Sequence, residues 1–129
     1  MISSDAFDYI NVLNKAADAS WLRQECISNN IANDDTPEYK RQDVDFEGVL
    51  SRELRHIQYD SLDKKVSNLK LSRLDVGTYI DSANYSYRID KNNVDIDTEN
   101  VELASNTIRY QGLTDSITQE FSRLKSVMK

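Results

Sequence analysis

Residues 5–33 read DAFDYINVLNKAADASWLRQECISNNIAN, and their apolar or small side chains recur at alternating steps of four and three residues. The series consists of Ala6, Ile10, Leu13, Ala17, Ser20, Gln24, Ile27 and Ile31. Such a heptad stripe is typical of a helix that packs along another helix, so we predict one helix over residues 5–33. Asn33 and Pro37 indicate its end, because asparagine tolerates the left-handed C-cap and the residue before a proline avoids the helical region.

A second heptad series lies near the other end of the sequence. Its members are Leu103, Thr107, Tyr110, Thr114, Ile117, Phe121, Leu124 and Met128. This series predicts a helix from residue 98 onward with Asp97 as its N-cap, since aspartate is a favoured N-cap residue. Both series contain polar positions, which weaken a free-standing coiled coil. The predicted fold is therefore mainly α, with long N- and C-terminal helices that pair as a coiled-coil-like hairpin.

The N-terminal helix carries a second apolar face. Its residues are Val12, Ala19, Leu22 and Cys26, with Trp21 beside them. One partner helix cannot cover both faces, so we expect this second face to need a neighbouring molecule and the termini of an isolated monomer to be mobile. The chain thus divides into an N-terminal helix (1–33), a middle segment (34–97) and a C-terminal helix (98–129), all within one structural unit.

The middle segment is the least hydrophobic part of the chain. Its apolar residues at helical spacing are Phe46, Val49, Leu50, Leu54 and Ile57. They predict a short amphipathic helix. Residues 62–74 show no sustained period, and residues 85–89 alternate as in a strand, so we expect irregular structure that allows one β-hairpin.

Composition and residue types argue against several classes of function. The chain has 22 acidic and 16 basic residues, a net charge of -6, so it has no general attraction to the phosphates of nucleic acids. With one cysteine, Cys26, and one histidine, His56, it lacks the ligands of a zinc site, and we interpret Cys26 as a helix-packing residue. We predict no catalytic residue, no metal, no cofactor and no small-molecule substrate.

Residues 90–97 superficially resemble a calcium-binding loop. An EF-hand needs glycine at its sixth position and glutamate at its twelfth, but Asp95 and Val101 stand there. We therefore interpret these oxygen-rich residues as turn formers and a helix cap. The first residues have neither a basic nor an apolar region, and no long apolar run follows, so we expect neither a cleavable signal peptide nor a membrane span.

Two regions of the chain, residues 29–47 and residues 87–111, contain motifs that resemble those of a known family. Residues 29–40, NNIANDDTPEYK, resemble the N-terminal signature of the flagellar rod and hook family of axial proteins, and RQDVDFE at 41–47 is most similar to its proximal-rod members. Near the C-terminus, YRIDKNNVDID at 87–97 and NTIRYQ at 106–111 are similar to the second signature of the same proteins. Glu38 and Lys91 stand where the family often has glycine.

The resemblance implies a structural subunit of the helical flagellar rod that carries torque from the membrane ring toward the hook. Its implied partners are other rod proteins, further copies of itself, the ring-to-rod adaptor, the membrane ring and the flagellar type III export apparatus, which would take the chain out of the cytoplasm without a cleavable signal. The alternative that uses the same heptads is a cytosolic helical adaptor or export chaperone. The residues we assign to the family motif are Asn29, Asn30, Ala32, Asn33, Thr36, Pro37 and Tyr39. Those assigned to the assembly seam are Ile10, Leu13, Ala17, Ile27, Ile31, Leu103, Tyr110, Ile117, Phe121 and Leu124.

Overall fold

The computed structural model describes residues 4–59, 61–81 and 88–128, with side-chain environments from residue 7 onward. Its α-helices are α1 (Ser4–Ala32), α2 (Phe46–His56), α3 (Leu62–Ser67) and α4 (Ile96–Val127). A 3₁₀ helix spans Leu71–Leu74, and β1 (Gln42–Asp43) pairs antiparallel with β2 (Tyr79–Ile80). The prediction of a mainly α fold with long terminal helices is confirmed.

The two long helices, α1 and α4, pack along each other. Ser20 of α1 hydrogen-bonds Asn106 of α4, whereas Asn30, further along α1, hydrogen-bonds Glu99. Residue numbers therefore rise along one helix as they fall along the other. The pair is an antiparallel hairpin, as the heptad patterns predict.

The bounds of both long helices lie close to the predicted ones. α1 ends at Ala32, and the chain turns through residues 33–38. α4 begins at Ile96 instead of residue 98, because Asp95 and not Asp97 is the N-cap. The Asp95 carboxylate accepts hydrogen bonds from the backbone N–H groups of Asp97 at 3.1 Å and Thr98 at 3.5 Å. A carboxylate two residues earlier satisfies the free amides of the helix start equally well.

The face that α4 turns toward α1 is rotated from the predicted heptad series. The positions that are buried or half-buried at this face are Glu99, Leu103, Asn106, Tyr110, Leu113, Ile117, Glu120 and Leu124. Four residues belong both to this face and to the predicted series: Leu103, Tyr110, Ile117 and Leu124. The other four members of the predicted series are Thr107, Thr114, Phe121 and Met128, and all of them except Thr114 are exposed. Thr107 and Met128 are not buried at the helix interface as the series predicts, because polar side chains that have partners, such as Asn106 and Glu99, occupy it instead.

Most of the second apolar face of α1 is covered within the same chain. The cluster that covers it consists of buried Ala19, Cys26 and Val44 with Leu22, Phe46 and Val76 packed around them. The expectation that this face needs a neighbouring molecule was wrong for Ala19, Leu22 and Cys26, because the chain between the long helices folds back onto them, whereas Val12 lines an open groove. Trp21, beside the cluster, remains 58% exposed.

The middle segment is more regular than predicted. The amphipathic helix is confirmed as α2, capped by Asp45, which accepts from the backbone N–H of Gly48 at 2.9 Å. Residues 62–74, expected to be irregular, contain α3 and the 3₁₀ helix, which pack on α1. Most of the predicted strand-like stretch falls on residues 82–87, outside the described residues. β1 and β2 are separated by α2, α3 and the 3₁₀ helix and do not form a hairpin. No helix in the described ranges has both the length and the apolar character needed to cross a membrane.

Candidate functional site

Two segments, residues 29–43 and 88–99, meet where α1 ends and α4 begins, and we call this meeting place the joint. Its centre is Asn92, which is 0% exposed. The Asn92 side-chain amide donates to the backbone carbonyls of Asn33 at 2.8 Å, Asp34 at 3.0 Å and Thr36 at 2.9 Å. One buried side chain from the second signature therefore holds the turn that follows α1 in the first.

Asn30 performs a similar task on the other side of the joint. It is also 0% exposed, and it bonds both the backbone N–H and the carbonyl of Gln42, at 2.9 and 2.8 Å. Its oxygen further accepts from the Tyr39 hydroxyl at 3.0 Å, and its amide donates to Glu99 at 3.2 Å. Through Asn30, α1 thus binds the start of the middle segment and the first turn of α4.

The family-motif residues fall into two groups in the joint. Asn30, Asn33, Thr36 and Tyr39 make side-chain hydrogen bonds there, including Asn33 to the Asn29 carbonyl at 2.8 Å and Thr36 to Asn33 at 3.1 Å. Asn29, Ala32 and Pro37 are exposed. The turn is therefore held mainly by asparagine side chains, and Pro37 contributes its fixed backbone angle.

Glu38 and Lys91 both adopt the left-handed backbone conformation, with φ of 63° and 62°. Glycine enters this region without strain, whereas a residue with a Cβ atom does not. The turns at both positions therefore have a backbone conformation suited to glycine although they carry Glu38 and Lys91. Backbone hydrogen bonds hold them there, including Glu38 N–H to the Asp90 carbonyl at 2.7 Å.

We expect Lys91→Gly to raise the free energy of unfolding by about 0.5–1 kcal/mol. Relief of the left-handed conformation gains about 1–2 kcal/mol, and the greater freedom of glycine in the unfolded chain takes back about 0.5–1 kcal/mol. Urea unfolding would measure the change. Lys70→Gly is the control, because Lys70 is also an exposed lysine but has an ordinary φ of -86°. It should lose stability, and a gain of equal size there would contradict the explanation.

A network of charged side chains ties the joint to both long helices. Arg41 contacts Glu99 at 2.6 Å, Asp81 at 2.8 Å and Asp43 at 3.2 Å. Glu99 is 1% exposed, so its charge has almost no access to water. Such a carboxylate is tolerated only when a cation and hydrogen-bond donors surround it, as Arg41 and Asn30 do here.

Arg23 extends this charge network along α1. It contacts Asp43 at 2.8 Å and Glu102 of α4 at 2.8 Å.

Burial alone would lower the pKa of Arg41, but its hydrogen bonds to Glu99 and Asp81 outweigh burial and raise that pKa. Burial likewise acts to raise the pKa of Asp43, but the bond to Arg23 and the Val44 N–H outweigh it and hold that pKa below its ordinary value. These opposite shifts favour the charged forms of Arg41 and Asp43.

The lowered pKa of Asp43 predicts a specific loss of stability in acid. Because the pKa is lower in the folded chain than in the unfolded one, the stabilisation is complete above about pH 4 and disappears as the pH falls through the folded value. Asp43→Asn should be less stable than the parent near neutral pH and should lose less on acidification. Urea unfolding at a series of pH values measures both curves. Parallel curves would show that Asp43 is not the group responsible.

A second polar cluster lies in the seam between α1 and α4. Asn106, 1% exposed, accepts from the Ser20 hydroxyl at 3.0 Å and donates to the Ser20 carbonyl at 2.9 Å and to Gln24 at 2.8 Å. Among the described residues, no buried side-chain polar atom lacks a hydrogen-bond partner. Polar pairs inside a helix seam fix the register of the two helices, because a shift would leave them unpaired.

The residues assigned to the assembly seam are unequally placed in the single chain. Ile10 and Ile27 are buried, and Phe121 is 51% exposed. The half-buried members are Leu13, Ala17, Ile31, Leu103, Tyr110, Ile117 and Leu124. Tyr110 packs against Trp21, with ring centroids 5.9 Å apart. Their role between subunits stays a prediction.

The residues considered for chemistry have structural positions. Cys26 is a buried member of the cluster on α1, and burial raises the pKa of its thiol, which disfavours the reactive thiolate. The predicted turn and cap in residues 90–97 are confirmed by Asn92 and Asp95. Within the described ranges, no group of three acidic, histidine or cysteine side chains is arranged to hold a metal ion.

Three residues that make several hydrogen bonds or ion pairs each at the joint were not predicted from the sequence. Arg41, Asn92 and Glu99 are polar, and hydrophobic spacing gives no signal for them. Asn92 did lie within the second signature, so its position in that motif was the available indication. Arg41 follows the first signature directly, but two of its three carboxylate partners, Asp81 and Glu99, come from distant parts of the chain.

Comparison with known proteins gives whole-length similarity to one kind of protein. No protein-family model matches the chain. The flagellar basal body rod protein FlgB of Bacillus subtilis (strain 168) is 34% identical in an alignment that covers 92% of this chain and 92% of that protein. FlgB of Borrelia hermsii is 33% identical, with coverages of 93% and 95%. FlgB of Escherichia coli (strain K12) is 26% identical, with coverages of 83% and 83%.

Proposed function

Because the chain belongs to the FlgB family of flagellar basal body rod proteins, we propose that it builds the proximal part of the rod and carries torque from the membrane ring toward the hook. It is a structural rod subunit and not an enzyme. The relatives described above are all rod proteins, and nothing in them favours a cytosolic adaptor or export chaperone.

The observation that best supports this mechanical role is the joint. The side chains of Asn92 and Asn30 join the two segments of the joint through hydrogen bonds between residues that are 56 to 69 positions apart in the sequence. A torque-bearing subunit must resist rotation of its middle segment against its terminal helices. Many short hydrogen bonds and ion pairs across a buried joint provide that resistance, because all of them must break together.

The helical hairpin is the element we assign to contacts between subunits. In this proposal the terminal helices, residues 1–33 and 98–129, stack in the inner part of the rod, and the middle segment, residues 34–97, lies outside them. The assembly-seam residues named above then pack either within the hairpin or against neighbouring subunits. Torque passes through side-chain packing over many subunits, with no bond-making step.

The specific partners follow from the same proposal. They are other rod proteins, the ring-to-rod adaptor, the membrane ring and, during delivery, the flagellar export apparatus. The chain would then act outside the cytoplasmic membrane after export without a cleavable signal peptide.

Fractionation of motile cells tests the proposal directly. The chain should copurify with intact basal bodies, and its deletion should abolish motility and leave rods absent. A deletion of an unrelated cytosolic protein is the control for strain handling. If the chain stayed in the cytoplasm in a complex with a single client, and basal bodies lacked it, the rod proposal would be wrong.

A further inference from the structure

The C-terminal turns of α4 carry exposed apolar side chains beside a local positive charge. Phe121 is 51% exposed and Met128 is 68% exposed. Together with Lys125 they lie at steps of four and three residues, and so on one face of the helix. Residues 123–129 contain three basic residues and no acidic one, in a chain whose net charge is -6. This end of the helix therefore presents a basic and apolar surface.

A groove of about 570 Å³ between α1, α2 and α4 has the complementary character. Its apolar walls are formed by half-buried Val12, Leu13, Ala16, Phe46, Leu50 and Leu113. Four carboxylates and two guanidinium groups also line the groove, so its polar edge has a net charge of -2. Glu47, on the first turn of α2, pairs with Arg109 at 2.5 Å, and 71% of its side chain remains accessible.

We propose that the groove of one copy receives the C-terminal turns of α4 from a second copy, with Phe121 against the apolar walls and Lys125 beside Glu47. This inference rests on the proposed function and names the contact through which copies join. Opposite charge favours the approach, and burial of the exposed aromatic side chain stabilises the contact.

The two surfaces lie at different places on the same molecule. A contact between unlike surfaces of identical chains is heterologous, so each copy that donates its α4 end still offers a free groove. Repetition of such a contact without closure generates an open helical array. A rod needs an assembly of this kind, and a symmetric contact between two like faces would stop at a dimer.

Cysteine cross-linking in basal bodies tests the proposal. The parent is Cys26→Ala, which removes the buried thiol and is used only if cells that carry it swim. Two variants are expressed together, one with Leu50→Cys in the groove and one with Phe121→Cys. After mild oxidation of isolated basal bodies, the 50–121 heterodimer should form several-fold more than either homodimer. Gln58→Cys, exposed and outside the groove, replaces Leu50→Cys as the control and should give little product with Phe121→Cys.

A charge exchange tests the polar half of the contact. Lys125→Glu in the Phe121→Cys copy should reduce the 50–121 product several-fold, and Glu47→Lys in the Leu50→Cys copy should restore most of it. A dominant 121–121 product, a 58–121 product of equal yield, or no 50–121 product in basal bodies that contain the chain would each overturn the proposal. A cross-link from position 50 to a different rod protein would overturn it as well. Absence of the chain from basal bodies would instead overturn the proposed function.

Discussion

Replacement of Arg41 by leucine is expected to destabilise the fold by about 3–5 kcal/mol, a large share of the stability of a domain of this size. Arg41 bonds Glu99, Asp81 and Asp43, and removing the guanidinium leaves three carboxylates close together. Glu99, at 1% exposure, would keep a nearly dry charge with only Asn30 as donor. Urea unfolding followed by circular dichroism would measure the loss.

Two further variants separate this explanation from a loss of packing. Glu99→Gln removes the buried charge but keeps an oxygen for Asn30, so Arg41→Leu should cost less in the Glu99→Gln background than in the parent. Arg123→Leu is the matched control, because Arg123 is 74% exposed and its contact with Glu120 lies on the surface. Such pairs contribute about 0–1 kcal/mol. Equal costs for Arg41→Leu in both backgrounds would contradict a charge-based role for Arg41.

The second large effect is expected at Ile117, where aspartate should abolish rod assembly and motility. Ile117 is half-buried on the α4 face that packs along α1, between Tyr110 and Leu124. A carboxylate there has no cation partner within the predicted seam, and its burial costs about 3 kcal/mol or more. A helix pair with polar positions in its seam cannot offset that loss. We propose that export does not require the packed seam, so the variant should still be secreted.

The control for Ile117→Asp is Gln119→Asp, which adds the same charge two residues away at an exposed position. Cells with Gln119→Asp should build rods and swim. Counts of rods in isolated basal bodies, swimming in soft agar and the amount of secreted chain are the three measurements. If cells with Ile117→Asp assembled normal rods, the helix seam would not be the element on which assembly depends.

The sequence predicts the helical framework well because apolar spacing is a local property. The four-three alternation from Ile10 to Ile31 and from Leu103 to Leu124 placed both long helices within about two residues of their observed bounds. The rotation of α4 could not be predicted in this way. It depends on Asn106 and Glu99, which are buried because Ser20, Gln24, Asn30 and Arg41 supply partners from elsewhere in the chain.

The joint shows a second limit of reading a sequence alone. The two signatures were recognisable as separate motifs, but nothing in either one shows that Asn92 bonds the turn after α1. The coverage of the second face of α1 was missed for a related reason. Val44, Phe46 and Val76 lie in polar surroundings along the sequence, and their shared burial appears only when the segment folds back.

The antiparallel hairpin also has a consequence for how the chain acquires its structure. The bond between Ser20 and Asn106 joins positions 86 residues apart. A fold whose principal contacts are this distant has a high contact order, and it must close a long loop before those contacts can stabilise it. Whichever terminus leaves an export channel first, its long helix cannot pair with the other long helix until nearly the whole chain has followed. In the export route that we propose, this topology would keep the chain from folding during transit.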